Sequence, residues 1–296
     1  MDKRKLILKK APLILALCLL LLTGCNNSET GEAAMAGQGQ KFTVAVTILP
    51  EKNFVEAVCG DLVNVIVVVP PGKSPESYEM TPREREELSN ASIYFVIGVP
   101  VEEASVLPQI GDEIKVVDLA SEVVKQYPDR TFAAGERDPH IWLSPKRAAV
   151  MVSSIAREMS SLDEANAAIY NSNAKNYLEE LQEADSEIKS IFASVQNKRF
   201  IAAHPAFGYF ADEYGLTMYA LEEEGKESTP QHLQDMIDLA KAEGIKTIFS
   251  QTEVDNKQPE AFAEEIGGQK VMLEPLAEDY IVNLKSMAQA MAASMK

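Results

Sequence analysis

Residues 163–195, DEANAAIYNSNAKNYLEELQEADSEIKSIFASV, contain neither proline nor glycine and set Tyr170, Tyr177, Leu181, Ile188 and Ile191 near one helical stripe. At ~1.5 Å per residue this predicts a single helix of about 45 Å. A helix of that length inside a chain of mixed pattern is a connector, so the flanking sequence decides the architecture.

Upstream, FTVAVTILP (42–50), VNVIVVVP (63–70), SIYFVIG (92–98) and IKVVDLA (114–120) read as strands. Their β-branched, nearly continuous apolar character suits parallel strands covered on both faces. Between them, EKNFVEAVCG and TPREREELSNA have the spacing or charge of crossover helices. Downstream the pattern resumes with RFIAAH (199–204), LTMYAL (216–221), KTIFSQ (246–251) and KVMLEP (270–275). The expectation is an α/β protein of two (β/α) lobes with parallel sheets, residues 41–162 and 197–296, joined by a rigid helix over 163–196.

The N-terminus has a different character. MDKRKLILKK is basic, and APLILALCLLLLTG is apolar until small residues precede Cys25. This is the layout of a secretory signal: charged region, apolar region, small-residue cleavage site. The apolar run falls short of the ~20 residues that span a bilayer. Leu22-Thr23-Gly24-Cys25 resembles the lipobox of bacterial lipoproteins, which implies cleavage after residue 24 and a lipid on Cys25. Residues 25–40 then form a small, polar, aperiodic tether, placing the body on the extracytoplasmic face of the cell membrane.

Removing residues 1–24 takes away five basic residues and one acidic one, which moves the formal charge from -17 to -21. So acidic a surface repels nucleic acid and anionic membrane. Cys18 lies in the discarded segment and Cys25 is the anchor, so Cys59 alone belongs to the body and no disulfide framework forms. The amphipathic pattern of NFVEAVCGDL makes Cys59 a small buried hydrophobe.

Ligands of α/β sheets sit beyond the carboxyl ends of the strands. A search of such positions and of irregular segments finds Glu76 in PPGKSPESYEMTP, His140 in ERDPHIWLSP, His204 at the end of RFIAAHP and Asp279 after KVMLEP. His232 falls just inside a helix start and is left out. Alone, each carboxylate is an ordinary solvated loop residue. Together, two imidazoles and two carboxylates, two from each lobe, make a donor set suited to a divalent first-row metal.

GKSPESYEMTPREREELSNASIYFVIGVPVEE, DPHIWLSP, AAHPAFGYFADEYGL, ALEEEGKESTPQHL and EPLAEDYIVNL resemble, in order, segments of the zinc/manganese solute-binding lipoproteins of metal ABC importers. The likeness runs from about Phe42 to the C-terminus. It implies two lobes bridged by a rigid helix, one metal in the cleft, and a membrane permease with its ATPase as partners. By motif position it gives ligand roles to Glu76, His140, His204 and Asp279. Pro75-Glu76-Ser77-Tyr78-Glu79-Met80 stands where the family usually has Pro-His-x-Tyr-Glu-Pro, so a carboxylate replaces an imidazole. QYPDRTFAAGERDPH also lacks the long His-rich loop of many zinc members.

Zinc accepts such a mixed set in a closed tetrahedron, and manganese favours its oxygen donors; at a shared site affinity generally favours zinc. The expected function is capture of zinc, with manganese as the alternative, by a monomer that delivers it to the permease without chemical change. Two other readings are a surface zinc hydrolase with water in the fourth position and an adhesin-type lipoprotein with a structural metal. No HExxH helix or nucleophile motif supports the hydrolase, and no general base is visible in sequence beside a ligand.

Overall fold

The computed structural model describes residues 41–295 apart from 134, 223–227 and 255–256. The signal segment, Cys25 and the tether to Gln40 lie outside the described residues. No helix among the described residues is long and apolar enough to cross a membrane.

The apolar runs form two parallel four-stranded sheets. The first contains β1 (Phe42–Val46), β2 (Val63–Val67), β3 (Ile93–Val96) and β4 (Lys115–Asp118) in the order β2-β1-β3-β4. The second contains β5 (Arg199–Ala202), β6 (Thr217–Ala220), β7 (Thr247–Gln251) and β8 (Gln269–Leu273) in the corresponding order β6-β5-β7-β8. Strand order therefore reverses direction beside β1 in one lobe and β5 in the other, where α/β sheets open a crevice beyond their carboxyl ends.

Crossover helices cover both sheets. In the N-terminal lobe these are α1 (Leu49–Cys59), α2 (Pro82–Leu88), α3 (Leu119–Val124) and α4 (Pro145–Leu162). The linking helix α5 is Ala167–Ala193, preceded by a single tight turn at Glu164–Asn166. The C-terminal lobe adds α6 (Gly208–Tyr214), α7 (Pro230–Glu243), α8 (Gln258–Glu265) and α9 (Tyr280–Ser294). The strand expected to run to residue 50 stops at Val46, because Pro50 in the first turn of α1 has the φ a helix start requires and no N–H is needed there.

Tyr170, Tyr177, Leu181, Ile188 and Phe192 line the buried stripe of α5, with Ile191 only half-buried at its edge. That stripe packs on α1 and α4 from one lobe and on α6 and α9 from the other. A continuous core follows it across both lobes, from Phe54 and Trp142 to Phe210 and Tyr280. Burying a ring such as Phe192, 1 % exposed, stabilises by roughly 2–3 kcal/mol. A second, smaller cluster around Ile201, Ile237, Ile248 and Phe262 fills the outer layer of the C-terminal lobe.

Polar contacts tie the lobes together near the crevice. Trp142 donates its indole N–H to the Pro275 carbonyl at 2.9 Å. The Tyr280 hydroxyl donates back to the Trp142 carbonyl. Tyr177 on α5 donates to Asn53 Oδ1 on α1 at 2.6 Å. Cys59 is fully buried, and burial pushes its thiol up to about 12, so it packs as a hydrophobe.

Candidate metal centre

Glu76 sits in the long connection from β2 to α2. The Glu76 N–H donates to Ser74 Oγ at 3.2 Å, the Tyr78 N–H closes a turn on the Ser74 carbonyl, and the Val101 N–H holds the Pro75 carbonyl. Tyr78 donates its hydroxyl to Glu84 Oε1 at 2.7 Å and so ties the loop to α2. Pro70, Pro71 and Pro75 remove backbone donors along this segment, which keeps it out of the sheet.

His140 precedes a tight turn, Ile141–Leu143, whose side chains are all buried. Its N–H and its ring Nδ1 both meet Asp138 Oδ1, at 3.0 and 2.8 Å. β5 ends at Ala202; His204 continues in extended conformation, and Pro205 opens the next tight turn. Its Nδ1 meets Glu222 Oε2 at 2.7 Å. The parallel register pairs Ala202 with Ala220, so two residues further on His204 and Glu222 stand side by side.

These connections bring three of the four sequence candidates together. Glu76 Oε1 lies 2.9 Å from His204 Nε2 and 3.9 Å from His140 Nε2, and the two Nε2 atoms are 3.3 Å apart. Donors ~2.0–2.1 Å from a tetrahedral zinc stand about 3.3 Å from one another. The three separations bracket that value, and the three donors form the one such group among the described residues. The imidazoles are 4 % and 3 % exposed, so a cation held there is shielded from water on two sides.

Asp279 is not among them. From the end of β8 the chain passes over Trp142 through the Pro275 carbonyl, so by Asp279 it has reached the linking-helix side. There Asp279 is exposed, precedes α9, and accepts the Asn283 N–H at its carbonyl. Its charge adds to the burial that pushes the Tyr177 phenol up. Of the four residues expected as donors, the structure brings three together, two from the N-terminal lobe and one from the C-terminal lobe. Beyond Glu76 lies an open cleft of about 1020 Å³, lined by Val99, Arg137, Pro205, Glu222 and Glu253 among others.

With Nδ1 hydrogen-bonded to a carboxylate, each ring is oriented so that Nε2 faces the centre. Burial opposes a charge on His204, but its bonds to Glu222 and Glu76 outweigh that and raise it to about 9. Burial likewise pushes Glu76 up, and the His204 hydrogen bond with the charges of both rings brings it below the usual carboxylate range. His204 thus carries a positive charge at neutral pH, between Glu76 and Glu222.

Sequence reading alone missed Asp138 and Glu222. Both are carboxylates beside an expected ligand, each engaged on a ring Nδ1. Each had a visible signal: Asp138 precedes His140 by two residues, and Glu222 follows a strand just as His204 does. His232 is half-buried, with Nε2 3.0 Å from the Ala220 carbonyl, and takes no part in the centre.

The family profile described as "Zinc-uptake complex component A periplasmic" (ZnuA) matches residues 44–294. The high-affinity zinc uptake system protein ZnuA of Bacillus subtilis is 28% identical over 278 residues, covering 89% of this chain and 87% of that protein. The iron ABC transporter substrate-binding lipoprotein MtsA of Streptococcus pyogenes is 28% identical over 276 residues, covering 88% and 87%. A crystal structure of a ZnuA deletion mutant with zinc bound superposes with a TM-score of 0.81 at 33% identity, covering 86% of this chain and 98% of that one.

Proposed function

We propose that this chain, which belongs to the zinc-uptake complex component A family, captures a divalent transition metal outside the cytoplasm and hands it to an ABC permease. The observation that carries this reading is the convergence of Glu76 Oε1, His140 Nε2 and His204 Nε2 with both Nδ1 atoms already engaged by carboxylates. Such a centre has no better use for its inward lone pairs than a cation. Zinc is the favoured cargo, with manganese the alternative: two imidazoles and a carboxylate are within the zinc repertoire, and affinity at a shared site generally favours zinc over manganese.

Capture needs no bond-making in the protein. The metal displaces the His204 proton, takes one donor from the C-terminal lobe and two from the N-terminal lobe, and keeps water at the open position. That opening gives the permease a route to exchange ligands. A lipid on Cys25 and the tether to Gln40 would hold the protein, as a monomer, within reach of the permease and its ATPase.

An open fourth position is also what a zinc hydrolase uses. Here Asp138 and Glu222 hold the two ring Nδ1–H groups, so neither is available as a general base. Competitive titration of the protein with zinc and manganese, beside the Glu76→Ala variant, tests the reading. One equivalent of zinc should displace manganese, and loss of Glu76 should weaken both. Absence of tight binding of either metal would end it.

A further inference from the structure

We propose that Arg130 is a positioning residue for metal capture, holding Asp138 against His140 Nδ1 from a seat on helix α6 of the opposite lobe. The inference rests on the metal-capture reading and adds a means by which the C-terminal lobe controls a ligand of the N-terminal one.

Asp138 is fully buried, and its two oxygens have separate neighbours. Oδ1 takes both the N–H and the Nδ1–H of His140. Oδ2 has no hydrogen-bond partner, and Arg130 Nε, also without one, stands 3.4 Å away as its counter-charge. With no hydrogen bond on Oδ2, the Arg130 charge is what holds the buried carboxylate in this orientation, and without it the side chain can turn or shift. Either change withdraws the acceptor that sets the His140 tautomer.

Arg130 is held in turn by the C-terminal lobe. Its guanidinium Nη1 donates to Asp212 on α6 at 2.7 Å. Its backbone N–H donates to the Tyr209 hydroxyl at 2.9 Å, and that hydroxyl donates to the Asp138 carbonyl at 3.1 Å. The Asp138 N–H closes on the Arg130 carbonyl at 2.9 Å, so the two residues form the neck of one loop. Helix α6 starts four residues after His204, so one short stretch of the C-terminal lobe holds one ligand and braces the acceptor behind the other.

Gly208, the first residue of α6, shows how close this seat is. A Cβ there would come within 2.2 Å of Arg130 Nε and 2.7 Å of Asp138 Oδ2. The absence of a side chain at Gly208 is what lets the ion pair lie against the helix. Separation of the lobes would draw Asp212 and Tyr209 away from Arg130, loosen Asp138 and lower the hold of His140 on the metal. The same contact thus couples lobe opening to release.

The test uses the full chain with Arg130→Met, Arg130→Lys and Gly208→Ala, titrated with zinc, and with cobalt(II) as a spectroscopic probe of ligand geometry. Outer hydrogen-bond partners of metal-bound imidazoles change affinity by ~10–100-fold. Arg130→Met and Gly208→Ala should each weaken zinc binding within that range and alter the cobalt absorption bands, while Arg130→Lys restores most of the affinity. Wild-type affinity in Arg130→Met overturns the proposal, as does a weakened variant with unchanged cobalt bands whose loss follows its melting temperature. Failure of the unaltered protein to bind zinc would instead remove the metal-capture reading itself.

Discussion

The Nε2 atoms of His140 and His204 stand 3.3 Å apart, one from each lobe, while both Nδ1 atoms face carboxylates. Two imidazoles so oriented bring two lone pairs to one point, which is stable only when a proton or a metal lies between them and Glu76. The consequences of that arrangement can be measured.

Loading should release a proton. His204, raised to about 9, is protonated at neutral pH in the metal-free protein and must lose that proton to bind. Titration calorimetry at pH 7 in buffers of different ionisation enthalpy should report about one proton released per metal. Apparent zinc affinity should rise about tenfold per pH unit up to roughly pH 9. A heat independent of buffer would contradict the protonated His204.

Removing the acceptor behind His204 should weaken the metal without unfolding the lobe. Glu222→Gln keeps the shape but turns a charged acceptor into a neutral one, so zinc affinity should fall ~10–100-fold. Equilibrium dialysis against a zinc indicator measures this, and circular dichroism should show the helix content retained.

The N-terminal lobe carries a pH dependence of its own. Thr47 and Ile48 give their N–H groups to Glu51, while Ile97, Gly98 and Val99 give theirs to Glu102. Burial, aided by the Glu102 charge, holds Glu51 well above the usual range, and burial pushes Glu102 up to about 7. A carboxyl whose folded value lies above its unfolded one contributes stability that is full below about pH 4 and lost as pH rises through the folded value. The metal-free protein should therefore melt lower at pH 8 than at pH 5. His204 adds to the same trend, so the diagnostic comparison is Glu51→Gln, whose melting temperature should fall less steeply over that interval.

The linking helix can be tested through Phe192, which stacks on Tyr214 at 5.9 Å and meets Phe210 edge-on at the same distance. Phe192→Ala should destabilise by about 3–5 kcal/mol. Urea denaturation would show it as a lower midpoint. Zinc affinity under native conditions should stay close to that of the unaltered protein, since α5 supplies no donor.

Much of this was legible in the amino-acid order, for physical reasons. The strands announce themselves because parallel strands buried on both faces must be almost continuously apolar, as VNVIVVV and SIYFVIG are. Helix α5 is equally plain from its stripe. His204 was legible from its strand, since the chain runs on in extended conformation for two residues past β5 toward the crevice. Asp279 was not, because it lies five residues beyond Glu274 and six beyond the end of β8, and the path between turns on the Trp142–Pro275 contact, which no local pattern encodes. Glu222 and Asp138 escaped because their role depends on what their oxygens touch. For Glu222 that follows only once β5 and β6 are known to be neighbours in register.

The most direct test of the central claim is a zinc titration of the protein beside His140→Ala, His204→Ala and Asp279→Ala. The structure predicts one tight site in the unaltered protein, its loss in either histidine variant, and its retention in Asp279→Ala. Full-affinity binding by both histidine variants, or loss of the site in Asp279→Ala alone, would contradict the three-donor centre.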